Sequence, residues 1–227
     1  MKIVVSVGGS VLVPELDAGR VDAYATVLEG LDDAGHELAV VVGGGPAARD
    51  YIAAGRELGA NEIELDQLGI AVTRLNAKLL IAALDDRAAS VPPEDYETAR
   101  AALRRGDIPV MGGTEPGHTT DAVGTALAEY TDADVLIYAT SVPGVYDADP
   151  NVDPTATKYD EITAADLVSL IGSLEMDAGS NAPVDLLAAK LIDRAGLRAA
   201  VVDGTNPEAV AAAVDGDHDG TDILPHS

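Results

Sequence analysis

The sequence predicts an α/β fold in which a mostly parallel sheet lies between two layers of helices, a three-layer α/β/α sandwich. Short aliphatic and β-branched runs alternate with helical patterns along the whole chain. These runs are apolar throughout rather than at every second residue, which is typical of strands buried on both faces. Three of them end in glycine pairs or triplets that lead into a helical pattern. We therefore expect one domain over residues 1–227.

The first quarter of the chain sets the alternation. KIVVSV at 2–7 is a β-branched run that stops at a glycine pair, and a helical spacing of apolar residues follows over 17–34. LAVVV at 38–42 predicts the second buried strand. Pro46 then suits the first turn of a helix, which we expect over 47–58.

The middle of the chain predicts two more strands. An Ala- and Leu-rich pattern indicates a long helix over 64–84, and a second helix is expected over 94–105. IPVM at 108–111 is a short apolar run and predicts a strand. A helix over 121–130 then leads to VLIYA at 135–139, the fourth buried strand.

The last part of the chain repeats the same alternation after a long connection. The segment 141–159 is rich in Pro, Gly and Asp, and connections of this length are commonly functional. Helical patterns near 163–171 and 183–195 precede the strand AAVV at 199–202. A final helix is expected near 207–214.

Composition limits the partners and the location of this protein. A formal charge of −25, with 14 basic residues, repels nucleic acid and anionic lipid, so we expect neither as a partner. Salt screens repulsion between surface carboxylates, and we hypothesise a high-salt cytoplasm. The chain contains no cysteine and enters a strand at residue 2, without a signal peptide. No apolar run approaches the roughly 20 residues that cross a bilayer, so a cytoplasmic protein is expected.

Three glycine-rich corners are the strongest functional signal. VVSVGGS, VVVGGGPAAR and IPVMGGTEPGHTTD each join a strand to a helix. Glycine allows close approach of the backbone to a ligand, and a helix amino end favours an anion. Any one of them could be an ordinary tight turn, but three at one sheet edge predict a site for several phosphates. None matches a P-loop or a dinucleotide fingerprint, and the histidines lack metal-ligand spacing.

Few basic side chains are available to such a site. Arg49 lies one turn into the helix after the second corner, where its guanidinium could bind a phosphate or pair with a surface carboxylate. Lys190 lies among apolar residues, five positions after Asp185. A lysine extending from a helix surface to solvent is the simpler interpretation of Lys190.

Taken together, these motifs resemble the amino acid kinase family. GGS after the first strand, GGG after the second and GGTxPGHTTDA after the third carry the resemblance. DQLGIAVTRLNAKLL at 66–80 and TSVPGVYDADP at 140–150 are similar to further segments of the archaeal branch that phosphorylates UMP. The resemblance covers nearly the whole chain and implies transfer of the γ-phosphoryl group of ATP to UMP, in pyrimidine nucleotide biosynthesis.

The resemblance also implies roles for individual residues. An acceptor lobe over about 1–130 and an ATP lobe over about 131–227 are expected, with Mg²⁺ accompanying ATP and assembly as a homohexamer built from dimers. Catalysis is assigned to Lys190, Asp185 and Arg49. ATP is expected on Gly8, Gly9, Ser10, Gly45, Arg49, Thr140, Tyr146 and Asp149. UMP is expected on Gly44, Asp66, Thr114, Glu115, Pro116, Gly117, His118, Thr119 and Thr120.

One departure from the family keeps alternatives open. Many members carry a lysine two residues before the first Gly-Gly, where this chain has Ser6. Lys2 cannot replace it, because four strand residues span about 13 Å. Ser6 would suit a non-catalytic nucleotide sensor on this fold. Isopentenyl phosphate and acetylglutamate kinases share the ATP half, but an isoprenoid pocket would not need Asp66 or the threonine pair at 119–120.

Overall fold

A computed structural model describes residues 1–150, 152–174 and 184–225. Within them the strands are β1 (Lys2–Val7), β2 (Glu37–Val42), β3 (Val110–Met111), β4 (Val135–Thr140), β5 (Glu161–Thr163), β6 (Ala199–Asp203) and β7 (Thr221–Leu224). The helices are α1 (Gly9–Leu12), α2 (Ala18–Asp33), α3 (Gly45–Glu57), α4 (Glu62–Leu84), α5 (Tyr96–Leu103), α6 (Thr120–Thr131), α7 (Ala164–Leu174), α8 (Leu186–Ala195) and α9 (Glu208–Asp215).

The strands form one mixed sheet in the order β3-β2-β1-β4-β6-β7-β5. Every neighbouring pair is parallel except β6 and β7, which run antiparallel. The carboxyl ends of β3, β2, β1, β4 and β6 therefore share one edge of the sheet, which is where ligands bind in open α/β folds.

Two apolar layers cover the sheet because successive side chains of a strand point to opposite faces. In β1, Ile3, Val5 and Val7 pack with residues of α2, α4 and α9, whereas Val4 packs with residues of α6, α7 and α8. The chain lacks Phe and Trp, and Tyr24 and Tyr138 are the largest fully buried side chains. The predicted α/β/α sandwich is confirmed, while its division into two lobes stays a prediction.

The elements that the sequence did not predict are short. β5, β7 and the single turn α1 have three or four residues each, too few to establish a period. The strand predicted at 108–111 is shorter because Pro109 has no N–H to donate to a neighbour; only Val110–Met111 pairs as a strand. The predicted helix start at residue 183 lies outside the described residues, and α8 begins at Leu186.

Helix α4 qualifies the expectation that no apolar run approaches membrane-spanning length. Among the described residues, α4 and the turn that follows it form the one helical segment that is long and apolar enough to cross a membrane, judged by length and composition alone. A core helix of a soluble protein passes the same test, and α4 packs against α2, α3 and the sheet. A capping box between Asn61 and Glu64 fixes its start.

Candidate functional site

The three glycine corners lie side by side, as the sequence predicts. β3, β2 and β1 are adjacent and parallel, so the segments after Met111, Val42 and Val7 emerge at the same edge of the sheet. α3 and α6 begin at this edge and direct their amino ends toward it. Such ends favour bound anions because they carry free N–H groups and partial positive charge.

The first and second corners touch backbone to backbone. A Cβ atom on Gly9 would lie 2.2 Å from the nitrogen of Gly45 and 2.4 Å from the oxygen of Gly43. Gly45 has a φ of +63°, a backbone angle that residues with a side chain rarely adopt. A Cβ atom placed on Gly45 would lie 2.5 Å from the carbonyl of Gly9. Only glycine allows the two corners to meet this closely.

A cavity of about 310 Å³ opens beside these corners, between α3, α4 and the segment 113–120. We call it the corner cavity. It brings together seven of the residues predicted to hold UMP, which are Gly44, Asp66, Glu115, Gly117, His118, Thr119 and Thr120, and also Gly45 and Arg49. Thr114 and Pro116 are not among its described lining residues. The Thr114 side chain hydrogen-bonds with Tyr96 of α5.

Asp66 fixes the far side of the corner cavity. Its Oδ2 accepts a hydrogen bond from the backbone N–H of Gly117 at 2.9 Å. Asp66 lies in the second turn of α4, so this bond joins α4 to the segment after β3. The carboxylate is therefore held in place before any ligand binds.

Arg49 is the basic side chain of the corner cavity. It is exposed, lies in the second turn of α3, and makes no hydrogen bond or ion pair with any residue that the structure describes. The surface pairing that the sequence left open is thus not seen. In a protein with 39 acidic residues, an unpaired guanidinium beside a glycine corner is suited to an anionic ligand.

Two hydrogen bonds join the amino ends of α6 and α8. The Thr119 hydroxyl, at the N-cap of α6, donates to the carboxylate of Asp185, which is the N-cap of α8. The backbone N–H of Asp185 donates in return to the carboxyl of Asp121. Ser6 Oγ, at the end of β1, donates to Asp121 Oδ1 at 3.5 Å. Asp121 thus links β1, α6 and α8.

Asp121 is the residue of this cluster that sequence reasoning missed. Burial and, to a smaller extent, the nearby Asp185 carboxylate raise the pKa of its carboxyl to about 7, although the hydrogen bonds from Ser6 and from the Asp185 N–H oppose the shift. Its position directly after the threonine pair was the available signal. Buried Tyr138, which neighbours Ser6 across the β1–β4 pairing, faces the same carboxyl.

Because this pKa is raised by folding, Asp121 stabilises the protein most when it is protonated. That contribution is complete below the unfolded-state value near 3.8 and is lost as pH rises through about 7. We expect the free energy of unfolding of the native protein to fall, relative to that of Asp121→Asn, between pH 4 and pH 8. Urea unfolding of both proteins across this range measures the difference.

Asp95→Asn provides the matched control for that measurement. Asp95 caps α5, and hydrogen bonds from Thr98 lower the pKa of its carboxyl, so its contribution is lost as pH falls. The contribution of Asp95 is lost mainly as pH falls below the unfolded-state value of 3.8, so the difference between Asp95→Asn and the native protein should stay nearly constant across the range in which that of Asp121→Asn changes. Parallel curves for the native protein and Asp121→Asn would show that Asp121 is not the group that titrates.

The residues predicted for ATP lie along the same edge but on more than one strand. Gly8, Gly9 and Ser10 follow β1, and the Gly8 N–H donates to the Ala139 carbonyl of the neighbouring β4. Thr140 ends β4, and its hydroxyl donates to the Val142 carbonyl at 2.7 Å. Tyr146 and Asp149 follow in the long connection, where Tyr146 pairs with Lys158 in a single bridge.

No hydrogen bond or ion pair joins Lys190 to Asp185, although the resemblance assigns both to catalysis. Asp185 accepts from the Ala188 N–H at 3.0 Å and from Thr119, so its carboxylate caps α8 instead of orienting the lysine. Five residues along a helix also place the two side chains well apart around its axis. Lys190 is exposed and makes no hydrogen bond or ion pair with a described residue, so its catalytic role stays a prediction.

The sandwich and its glycine-lined edge are suited to an α/β protein that binds a phosphorylated ligand at the carboxyl ends of its strands. The chain belongs to the amino acid kinase family, whose model matches residues 1–203. That range includes the three corners and the corner cavity.

Relatives within this family extend the similarity to the whole chain. The chain is 65% identical to the uridylate kinase of Haloarcula marismortui over the full length of both. It is 61% identical to the uridylate kinase of Natronomonas pharaonis, again over the full length of both. The crystal structure of uridylate kinase from Archaeoglobus fulgidus superposes with a TM-score of 0.90 at 45% identity, covering 99% of this chain and 100% of that one.

Proposed function

We propose that this protein transfers the γ-phosphoryl group of ATP to UMP, giving UDP and ADP. The corner cavity carries the proposal, since it sets an unpaired guanidinium, a fixed carboxylate and threonine hydroxyls beside two touching glycine corners. Full-length similarity to uridylate kinases supports UMP as the acceptor over isopentenyl phosphate or acetylglutamate. The reaction belongs to pyrimidine nucleotide synthesis in the cytoplasm.

In this proposal UMP occupies the corner cavity. Gly44 and residues 114–120 surround it, with the hydroxyls of Thr119 and Thr120 near its phosphate and Asp66 accepting from the ribose hydroxyls. Seven of the nine residues assigned to UMP line one cavity, which supports the assignment. Thr114 and Pro116 do not line the cavity, so their contact with UMP stays a prediction.

ATP is proposed to bind from the β4 side of the same edge. Gly8, Gly9, Ser10, Gly45 and Arg49 hold its phosphates, and Thr140, Tyr146 and Asp149 line its nucleoside. Within the described residues no three Asp, Glu or His side chains are grouped to hold a metal. A Mg²⁺ ion that accompanies ATP is held largely by phosphate oxygens and water, and it does not require a cluster of protein carboxylates.

The chemistry requires alignment and charge neutralisation more than covalent help. Both substrates are anions, and the moving phosphoryl group must lie in line between the acceptor oxygen and the leaving oxygen of ADP. Backbone N–H groups at the corners and the Arg49 guanidinium offset the charge that spreads over this group. The close contact of the first and second corners supports a short distance between the two proposed phosphate sites.

A coupled assay of ADP release tests the proposal directly. UMP, CMP, acetylglutamate and isopentenyl phosphate are supplied in turn with Mg·ATP, at high KCl. UMP is expected to give the highest kcat/KM. If only another acceptor supported ADP release, that compound would replace UMP as the proposed substrate. Binding of ATP and UMP without turnover would favour a non-catalytic nucleotide sensor.

Lys190→Ala tests the remaining catalytic assignment. If the Lys190 ammonium approaches the moving phosphoryl group, its loss should lower kcat at least about 10-fold and leave the Kd for UMP nearly unchanged, because the interaction is made in the transition state. Steady-state kinetics and calorimetric titration with UMP measure the two quantities. A variant with normal turnover would remove Lys190 from the mechanism.

A homohexamer built from dimers is the proposed assembly. Helix α4 exposes Leu75 and Leu79, with 57% and 44% of their surface accessible, and Val91, which lines the same cavity as Leu75, is 65% exposed. Apolar side chains grouped in this way are typical of subunit contacts. Sedimentation velocity of the native protein and Leu79→Glu would separate a hexamer from a monomer.

The acidic surface predicts a strong dependence on salt. Since salt screens repulsion among carboxylates, unfolding temperatures should rise from dilute buffer to molar KCl. The halophilic archaeal sources of similar uridylate kinases support this expectation. Equal stability at both salt concentrations would contradict a halophilic protein.

A further inference from the structure

The third glycine corner packs directly onto the backbone of α4. A Cβ atom on Gly112 would lie 2.6 Å from Thr73 Oγ1 and 2.7 Å from the backbone nitrogen of Arg74. The absence of a side chain at Gly112 therefore lets the segment after β3 approach two consecutive residues of α4. Residues one position apart on a helix do not ordinarily reach the same partner.

Both polar groups of the next residue, Gly113, are bound by these two side chains. The Gly113 N–H donates to Thr73 Oγ1 at 2.7 Å, and the Gly113 carbonyl accepts from Arg74 Nε at 3.2 Å. The Thr73 hydroxyl donates its own proton to the Ile70 carbonyl at 2.7 Å, which leaves it to act as the acceptor. Gly113 is buried, so water cannot replace either bond cheaply.

The other end of the Arg74 side chain is also fixed. Its Nη1 lies 3.0 Å from Glu94 Oε1, in the segment that leads into α5. Arg74 is mostly buried, at 28% exposure, whereas Glu94 is 77% exposed. One rigid, planar guanidinium thus joins the Gly113 carbonyl to a carboxylate, which the single ammonium of a lysine cannot do in the same geometry.

Gly113 begins the segment that surrounds the corner cavity. It lines that cavity itself, and Glu115, Gly117 and Thr119 follow it there. Arg74 is not among the cavity's described lining residues; it lies on the neighbouring face of α4. An effect of the Arg74 side chain on a ligand in the cavity is therefore indirect, and its hydrogen bond to the Gly113 carbonyl is the contact that connects it to the cavity lining.

We propose that Arg74 is a positioning residue for the acceptor nucleotide, acting by fixing the Gly113 peptide between α4 and the segment 113–120. This inference rests on the proposed function, in which UMP occupies the corner cavity. Arg74 sets where the segment starts, Asp66 holds it at Gly117, and the bound nucleotide lies between these two points. Loss of the Arg74 bond to Gly113 should weaken binding of the acceptor nucleotide and leave binding of ATP unchanged.

Arg74→Lys, Arg74→Ala and a matched Arg87→Lys variant test the inference. Arg87 also joins a backbone carbonyl, that of Glu29, to carboxylates, at the far end of α4, and is similarly exposed. Both Arg74 variants should raise KM for UMP at least about five-fold. KM for ATP should stay within about two-fold of the native value, because only binding of the acceptor is weakened. Arg87→Lys should leave both constants unchanged.

Rescue by guanidinium separates positioning from general stability. Guanidinium ion at millimolar concentration, far below denaturing levels, should lower KM for UMP in Arg74→Ala and leave Arg74→Lys unaffected, because only the former has space for it. Equal rises in the two KM values, or no rise in folded Arg74 variants, would overturn the inference. Absence of UMP-dependent ADP release from the native protein would instead refute the proposed function, and calorimetric UMP binding to the same variants would then decide the role of Arg74.

Discussion

Gly9→Ala is expected to lower kcat/KM at least about 100-fold, since displacements near 1 Å at a reacting site cost this much. The new methyl group would lie 2.2 Å from the Gly45 nitrogen and 2.4 Å from the Gly43 oxygen. Both are backbone atoms, so no side chain can turn away and the two corners must separate. Under the proposed function, these corners hold the phosphates between which the transfer occurs. Steady-state kinetics with UMP and ATP measures the loss.

Gly30→Ala is the matched control for this substitution. Gly30 lies in α2, is exposed, and a Cβ atom there would meet nothing within 4 Å. Alanine should stabilise the helix by about 0.5–1 kcal/mol and leave turnover unchanged. Thermal unfolding of both variants shows whether Gly9→Ala remains folded. A folded Gly9→Ala with native kinetics would mean that contact between the corners is not needed for the reaction.

The sheet edge could be predicted from the sequence because its determinants are local. A strand-like run, a glycine pair and the start of a helical pattern lie within about ten residues of one another, and parallel strands bring such corners to one edge. Arg49 was found in the same way, since it follows the second corner directly. The prediction needed no knowledge of which strands are neighbours.

The contacts that complete the site could not be predicted, because they join distant parts of the chain. Arg74 reaches Gly113 across 39 positions, and Ser6 reaches Asp121 across 115. In the sequence Arg74 is one of several charges on a long helix, and its role depends on the absence of a side chain at Gly112. Asp185 was assigned to catalysis together with Lys190, yet its carboxylate accepts a hydrogen bond from Thr119.

The structure also changes how Ser6 is understood. Its hydroxyl meets Asp121, and Gly124 of α6 lies so near that a Cβ atom there would be 3.1 Å from the Ser6 Cβ. A small residue fits between β1 and α6, where a longer side chain at position 6 would have to pass Gly124. The space around position 6 is therefore filled, and it is not a gap that a lysine would occupy. The positive charge of the site must come from other residues.

Arg49→Met should cause the second large loss, about 100- to 1000-fold in kcat/KM, the usual effect of removing one donor to a transition-state oxygen. Methionine keeps the length and apolar stem of the side chain but has no charge and no N–H. Arg49 makes no ion pair with a described residue, so its removal should not destabilise the fold. Kinetics and thermal unfolding together distinguish lost chemistry from lost structure.

Arg56→Met is the control, because it makes the same change on the same helix. Arg56 is exposed and pairs with Glu62 at 3.3 Å, away from the corner cavity, so turnover should stay within two-fold of native. If both variants lost activity equally, the loss would reflect the charge of α3 in an acidic protein and not a bond to phosphate. If Arg49→Met alone kept native activity, the offset of charge on the moving group would have to come from backbone N–H groups and Mg·ATP. The unpaired state of Arg49 would then have no part in the reaction.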